Sequence, residues 1–276
     1  MNAIVARYDA DAADYERYWA PVLEATARRL LDHVDPFVAR RNGRARALEV
    51  GVGTGTLVLA ALERWPQVEV IATDAARGML DLARARVNAA RPAETRVSFV
   101  EGPADALPLA DASVDLVVST FVLQLVPDRL AALREAKRLL RPGGTVAYLT
   151  WLDRDSRQPF KPGDEFDEAV YDLQIDEPEV ADEPHAGDVR SGRTATNELR
   201  RAGFVRASAA EDELVHDWTL ENYLDYKLAY DERALLSALS RSQRARLERN
   251  ARDRLSRLSR RDFRWHAPVV FARAMK

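Results

Sequence analysis

The 276-residue chain contains no cysteine. That excludes disulfides, thiolate metal ligands and a cysteine nucleophile. No apolar run approaches the roughly 18 residues of a membrane helix, and the first residues carry no basic-then-apolar leader. The expectation is a cytoplasmic protein with no membrane partner. Its four histidines, His33, His185, His216 and His266, form no H-x-x-x-H or H-E-x-x-H pattern, so no metal site is expected. A lone histidine is more often structural, and none of these pairs with a carboxylate in a readable motif, so no catalytic base is assigned. The formal net charge is −3, which gives no global attraction to nucleic acid. Internal repeats are also lacking.

What is present is an ordinary globular composition, 47% hydrophobic, in a chain long enough for one large domain or a domain with an elaborated lid. Its centre is Ala47-Leu48-Glu49-Val50-Gly51-Val52-Gly53-Thr54-Gly55-Thr56-Leu57. An apolar run ends in three glycines at alternate positions, and a helical pattern follows. This reads as strand, tight turn, helix. Glycine serves where the turn needs positive φ and where a ligand must approach the backbone. The free N–H groups of the next helix point into the same crevice. The spacing is G-x-G-x-G, not the dinucleotide fingerprint G-x-G-x-x-G. Glu49, two residues before the first glycine, would repel a pyrophosphate and suits an ammonium group.

Beyond this turn, helix and strand alternate. Helices are expected over 57–65 and 78–90, and from Pro127-Asp128 through Leu140. Strands are expected over 68–74, 96–100, 113–126 (running into a loop) and 145–151. The near-continuous apolarity of Val114 to Val126 fits a strand buried on both faces, and the alternation implies a parallel sheet with helices on both sides. Asp74 closes the second strand, about twenty residues after the glycines, where a carboxylate accepts ribose hydroxyls; it is equally a good N-cap for the following helix.

These features resemble the class I S-adenosylmethionine-dependent methyltransferases, and within them the UbiE-like small-molecule branch (methyltransferase type 11 domain). Glu49 to Gly55 matches that family's motif E/D-x-G-x-G-x-G. Asp74 to Leu80 is similar to D-x-S-x-x-M-L, Arg141 to Gly144 to L-K/R-P-G-G, and Leu199 to Phe204 to L-x-x-A-G-F. The N-terminal Tyr-Asp-x-x-Ala-x-x-Tyr-x-x-x-Trp pattern resembles the opening of small-molecule members. The resemblance implies a Rossmann-like α/β fold: a seven-stranded, mostly parallel sheet with an antiparallel last strand, N-terminal helices and a C-terminal helical lid. Residues 1–40 are expected to form a helical cap and 41–276 the cofactor domain, with a core over 45–151, an acidic excursion over 152–190 and a lid insertion over 219–261.

The resemblance also assigns S-adenosylmethionine as cofactor. Glu49 would face its ammonium group, Gly51, Gly53 and Gly55 would let it lie flat, and Asp74 and Ala75 would meet the ribose. Met79 would pack on adenine or serve the core. In the family's G-D-A-x-x-L-P segment this chain has Pro103 in place of the acid, so adenine recognition falls to Ala104, through its N–H, and Asp105, which points either to adenine or to solvent. Thr120 and Leu125 would contact the methionine and nucleoside parts. Tyr8 and Tyr15 either line the site or simply pack their helix.

The acceptor is less legible. There is no N-P-P-Y or D-P-P-Y tetrad, which argues against amino-group methylation of bases or glutamine. The acidic stretch is a solvated loop or a flap that attracts a cation or answers the arginine-rich helix downstream. That helix, interrupted by Glu248 and Asp253 and free of interleaved aromatics, reads as a solvated face and not as a nucleic-acid surface. The expected activity is methyl transfer to a small molecule. The alternatives are RNA or protein methylation, other chemistry with the same cofactor, and a binding protein that keeps the fold without catalysis.

Overall fold

The computed structural model describes residues 3–153, 159–175 and 185–276. Asp176, Glu177, Pro178, Glu179, Asp182, Glu183 and Pro184 of the acidic stretch lie outside these residues. The chain opens with α1 (Ala3–Ala10), α2 (Ala12–Asp14), a π-helical turn (Tyr15–Trp19), α3 (Ala20–Arg28) and α4 (Leu30–Arg40). It then alternates: β1 (Arg46–Val50), α5 (Thr56–Arg64), β2 (Glu69–Asp74), α6 (Arg77–Ala90), β3 (Val97–Glu101), β4 (Val114–Thr120), α7 (Arg129–Leu139) and β5 (Leu140–Trp151). The second half comprises α8 (Lys161–Tyr171), α9 (Gly192–Arg201), β6 (Val205–Asp217), α10 (Leu220–Tyr226), a second π turn (Lys227–Asp231), α11 (Arg233–Ala238), α12 (Arg241–Leu255) and β7 (Arg264–Met275).

The seven strands form one sheet in the order β3-β2-β1-β4-β5-β7-β6. β1, β2, β3, β4 and β5 are parallel, and β7 lies antiparallel between β5 and β6. Alternate residues of each strand feed opposite faces, as the two-residue side-chain period requires. Ala47, Val70, Leu116 and Leu149 pack with α3, α4 and α5 on one side. Leu48, Ile71, Val117 and Tyr148 pack with α7 and α9 on the other. The central strands therefore bury apolar side chains on both faces.

One reading of the second half changes. β6 pairs with β7 from Met275 back to Arg264, with a register shift between Val205 and Ser208. The expected lid over 219–261 consists of three helices and a π turn. Their apolar positions do not cover the glycine-rich crevice. Leu247, Ala251 and Leu255 join the core cluster that holds Phe166, Ala169 and Val170 of α8. Arg254 bonds Glu165 at 3.1 Å and Asp172 at 3.0 Å, so basic α12 is answered by the acidic helix beside it. The crevice is roofed instead by α1, whose Ile4, Val5 and Tyr8 line it.

Candidate active site

Parallel strands leave their C-terminal ends open to one edge of the sheet, and here the ends of β1, β2 and β4 are tied together by buried groups. The Thr73 hydroxyl donates to the Glu49 carbonyl at 2.9 Å, and the Ser119 hydroxyl to the Val50 carbonyl at 2.9 Å. The glycine turn leaves β1 above this lock. Gly51 has φ of +72°, and a Cβ there would stand 2.2 Å from Val122 Cγ2, so only glycine fits. Gly53 has φ of +51°, but a Cβ there meets nothing within 4 Å. Its side faces the open crevice. Gly55 caps α5 and packs toward Ala83 of α6, and it does not line the crevice.

Asp74 organises the turn. One carboxylate oxygen accepts from Gly53 N–H at 2.9 Å and the other from Ala76 N–H at 2.9 Å. Asp74 is not the N-cap of α6, a position held by Ala76; it steadies the glycine turn and the backbone ahead of the helix, and it lines the crevice. Burial raises its pKa, while the backbone donors hold it down. Asp74→Ala is expected to weaken cofactor affinity by about 1.5–3 kcal/mol for each charge-assisted bond lost, and to lower the melting temperature because Gly53 and Ala76 lose their acceptor. Asp74→Asn, which keeps one oxygen, should fall between. Wild-type affinity in Asp74→Ala, measured by calorimetry, would remove the ribose role.

The crevice has a volume of ≈ 250 Å³. Tyr8, Tyr15, Gly51, Gly53, Asp74 and Ala75 all line it, as do Met79, Ala104, Asp105, Thr120 and Leu125. Met79 is buried and packs with Ala12 and Ala76, so its core and lining roles coincide. Asp105 is exposed, and Pro103 forms part of the lining. Glu49 lies deeper, in a side pocket of ≈ 40 Å³ that shares Tyr15, Gly51, Gly53, Thr120 and Phe121 with the surrounding cavities. It is 2% exposed, and no described side chain or backbone donor bonds its carboxylate. Burial, helped by Asp74, pushes its pKa well above the usual carboxylate range. A buried acid without a partner is costly unless something cationic meets it.

The roof is held by charges. The Asp9 carboxylate accepts from Gly78 N–H at the start of α6, and a Cβ at Gly78 would stand 2.5 Å from the Asp9 carbonyl. Arg233 of α11 pairs with Asp11 and Asp14. The π turn then aims Tyr15 at the crevice and Trp19 away from it. Tyr8 and Tyr15 meet edge to face at 5.8 Å, and burial raises both phenol pKa values, keeping them neutral.

Phe121 was not anticipated. It has φ of +55°, an unusual value for an aromatic residue. Its N–H donates to the Leu149 carbonyl at 2.8 Å, and its carbonyl accepts from Gln124 Nε2 at 2.7 Å. Gln124 is in turn fixed by the Thr150 hydroxyl at 2.8 Å. The Phe121 ring packs on Trp151 at 4.5 Å and forms the wall between the crevice and a second cavity of ≈ 320 Å³. His185 lines that cavity. The other histidines are elsewhere: His33 stacks on Phe271, His216 packs against Trp218, and His266 Nδ1 lies 3.1 Å from Glu213. Among the described residues, no cluster of three or more metal-ligating side chains occurs, and no helix is long and apolar enough to cross a membrane.

A Rossmann-like sheet with antiparallel β7, carrying an acid and a glycine turn at the switch between β1 and β4, defines the class I methyltransferase fold. The comparisons agree. A family described as "Methyltransferase domain" matches residues 47–144. The malonyl-[acyl-carrier protein] O-methyltransferase of Geobacter sulfurreducens is 31% identical over 78% of this chain and 72% of its own length. That of Methylococcus capsulatus is 34% identical over 59% of this chain, and the match spans 52% of that relative. The chain thus spans about half the length of that second relative. In fold, a SAM-dependent methyltransferase from Thermotoga maritima superposes with a TM-score of 0.53 at 20% identity, covering 98% of each chain. The chain belongs to the class I S-adenosylmethionine-dependent methyltransferase family.

Proposed function

We propose that this protein transfers the methyl group of S-adenosylmethionine to a small-molecule acceptor. The observation that carries the reading is the buried, unpartnered Glu49 carboxylate beneath a glycine turn that Asp74 steadies. Burial favours its neutral form, an ammonium group beside it would restore the charged one, and the cofactor's methionine end has such a group. Glu49 would hold that ammonium group, Asp74 the ribose hydroxyls, and Met79 and Ala104 the base. When bound, the cofactor supplies a sulfonium methyl already activated for displacement by an acceptor lone pair. The protein's share is then positioning and exclusion of water. Phe121 and Tyr15 stand between the crevice and the second cavity, the side from which an acceptor would approach.

A small acceptor is supported by the third cavity, a cleft of ≈ 700 Å³, within the usual range of small-ligand sites. The test is calorimetric titration with S-adenosylmethionine and S-adenosylhomocysteine, with NAD as the control. Micromolar binding of the first two and none of NAD is expected. Failure of both would overturn the reading.

A further inference from the structure

The third cavity is made by segments far apart in sequence. Trp265 of β7 is its centre. Its ring lies 5.9 Å from Trp19, 6.1 Å from Trp151 and 6.5 Å from Phe160. Trp19 stacks on Tyr226 at 5.3 Å, and Phe160 meets Tyr223 edge to face at 5.5 Å. Trp19, Trp151, Phe160 and Trp265 are only half-buried and turn ring surface to the space between them. The second cavity shares Trp19, Trp151 and Asp188 with this chamber, and Tyr8, Tyr15 and Leu125 with the crevice. The three spaces therefore lie side by side, separated by shared side chains.

The chamber's charge is lopsided. Asp153, Asp164, Asp167 and Asp231 line it, as does Asp188, which is engaged in an interaction of its own. Among the described lining residues, Lys227 and His266 stand against them. The Lys227 ammonium is held 2.6 Å from Asp231 and 2.6 Å from Glu232, over the Phe166 ring. Burial works against that ammonium, but Asp231, Tyr223 and Glu232 outweigh it and raise its pKa. His266 faces Glu213. Among the described residues that line the chamber, none is an arginine. Burial raises the Asp167 carboxyl, as do Glu232, Asp164 and Asp231, against the pull of Lys227. Aromatic faces and carboxylates both attract a cation.

We propose that this chamber is the acceptor site and that it selects a small molecule bearing a cationic amine on an apolar body. This rests on the methyl-transfer reading for the word acceptor, but the cation preference is measurable without it.

The test uses the full chain and three probes of one shape class: benzyltrimethylammonium, its uncharged carbon isostere neopentylbenzene, and phenylacetate. Tryptophan fluorescence reports directly, since Trp19, Trp151, Trp218 and Trp265 line the chamber and the chain has 5 tryptophans. With S-adenosylhomocysteine present, benzyltrimethylammonium should quench saturably and bind about tenfold more tightly than the isostere. Phenylacetate should give no saturable change. In the double variant Asp164→Asn, Asp167→Asn, both exposed positions on α8, the cation should lose most of that advantage while the isostere binds as before. Equal binding of cation and isostere to the wild type, or tighter binding of phenylacetate, would overturn the proposal. If S-adenosylhomocysteine fails to bind and the cation still does, the methyl-transfer reading falls and the cation preference stands. If the cofactor product binds and the cation does not, the chamber proposal alone falls.

Discussion

Gly53→Leu is expected to reduce S-adenosylmethionine affinity by on the order of 100-fold or more, about 2.7 kcal/mol, while leaving the protein folded. Two effects must be separated. The backbone at Gly53 has φ of +51°, and a side chain in that region costs roughly 1–2 kcal/mol. That term lowers stability in any variant carrying a Cβ. The second effect is steric. Nothing stands within 4 Å of a Cβ built there, and the residue lines the crevice, so an isobutyl group would occupy ligand space. Gly53→Ala carries the first cost with only a methyl group of the second. The two variants should therefore share a similar fall in melting temperature and differ sharply in affinity. If Leu binds the cofactor as the wild type does, the ligand does not lie against this turn.

Glu49→Gln is expected to move stability and binding in opposite directions. Without cofactor, the buried carboxyl has a folded pKa raised above its unfolded value of about 4.3. Its contribution to stability is present below the unfolded pKa and is lost as pH rises through the folded one. The free wild-type protein should thus lose stability as pH rises above the ordinary carboxylate range, and Asp74, also raised, adds in the same direction. Glu135, lowered by Arg138, and Asp115, lowered by the Arg46 N–H and Arg141 against its burial, titrate below that range. Glu49→Gln should flatten the slope and raise the melting temperature at the alkaline end. It should also weaken the cofactor by about 1.5–3 kcal/mol through loss of the ammonium partner. Thermal scans across pH, with and without S-adenosylhomocysteine, check both. An unchanged slope, or an unchanged affinity, would show that Glu49 is not the group that meets the cation.

What could be read from the sequence is what the chain writes locally. The glycine turn, Asp74 and Met79 lie in short stretches where spacing alone dictates geometry, and they converge on the crevice. The alternation of strand and helix follows from the apolar runs, and the resemblance implies a mostly parallel sheet with an antiparallel last strand, but neither states the strand order. Tyr8 and Tyr15 were visible as aromatics on one helical segment, but the π turn after them shifts the hydrogen-bond register without changing the apolar pattern, so the aim of Trp19 was hidden. Phe121 looked like one more residue of an apolar strand. Its left-handed backbone depends on Gln124 and Leu149, which no local pattern encodes. Asp9 gave no sign of reaching Gly78. The helices over 219–261 were expected above the crevice, because their apolar spacing says that they pack but not on what. Gly55 matches the motif yet serves the contact between α5 and α6.

The position of β7 has a consequence for how the molecule assembles. The strand made last in the chain order is placed between β5 and β6, so the sheet closes only when residues 264–275 arrive. The crevice needs little of this. Its turn, its acid and its strand ends come from one continuous third of the chain and pair with near neighbours. The aromatic chamber is the reverse case, since its rings come from residues 19, 151, 160, 226 and 265. Contacts between such distant segments carry the larger loop-closure entropy and form late. The nucleotide-sized half of the molecule is thus topologically simple and early. The aromatic chamber waits for β7, and Trp265 rides in on it.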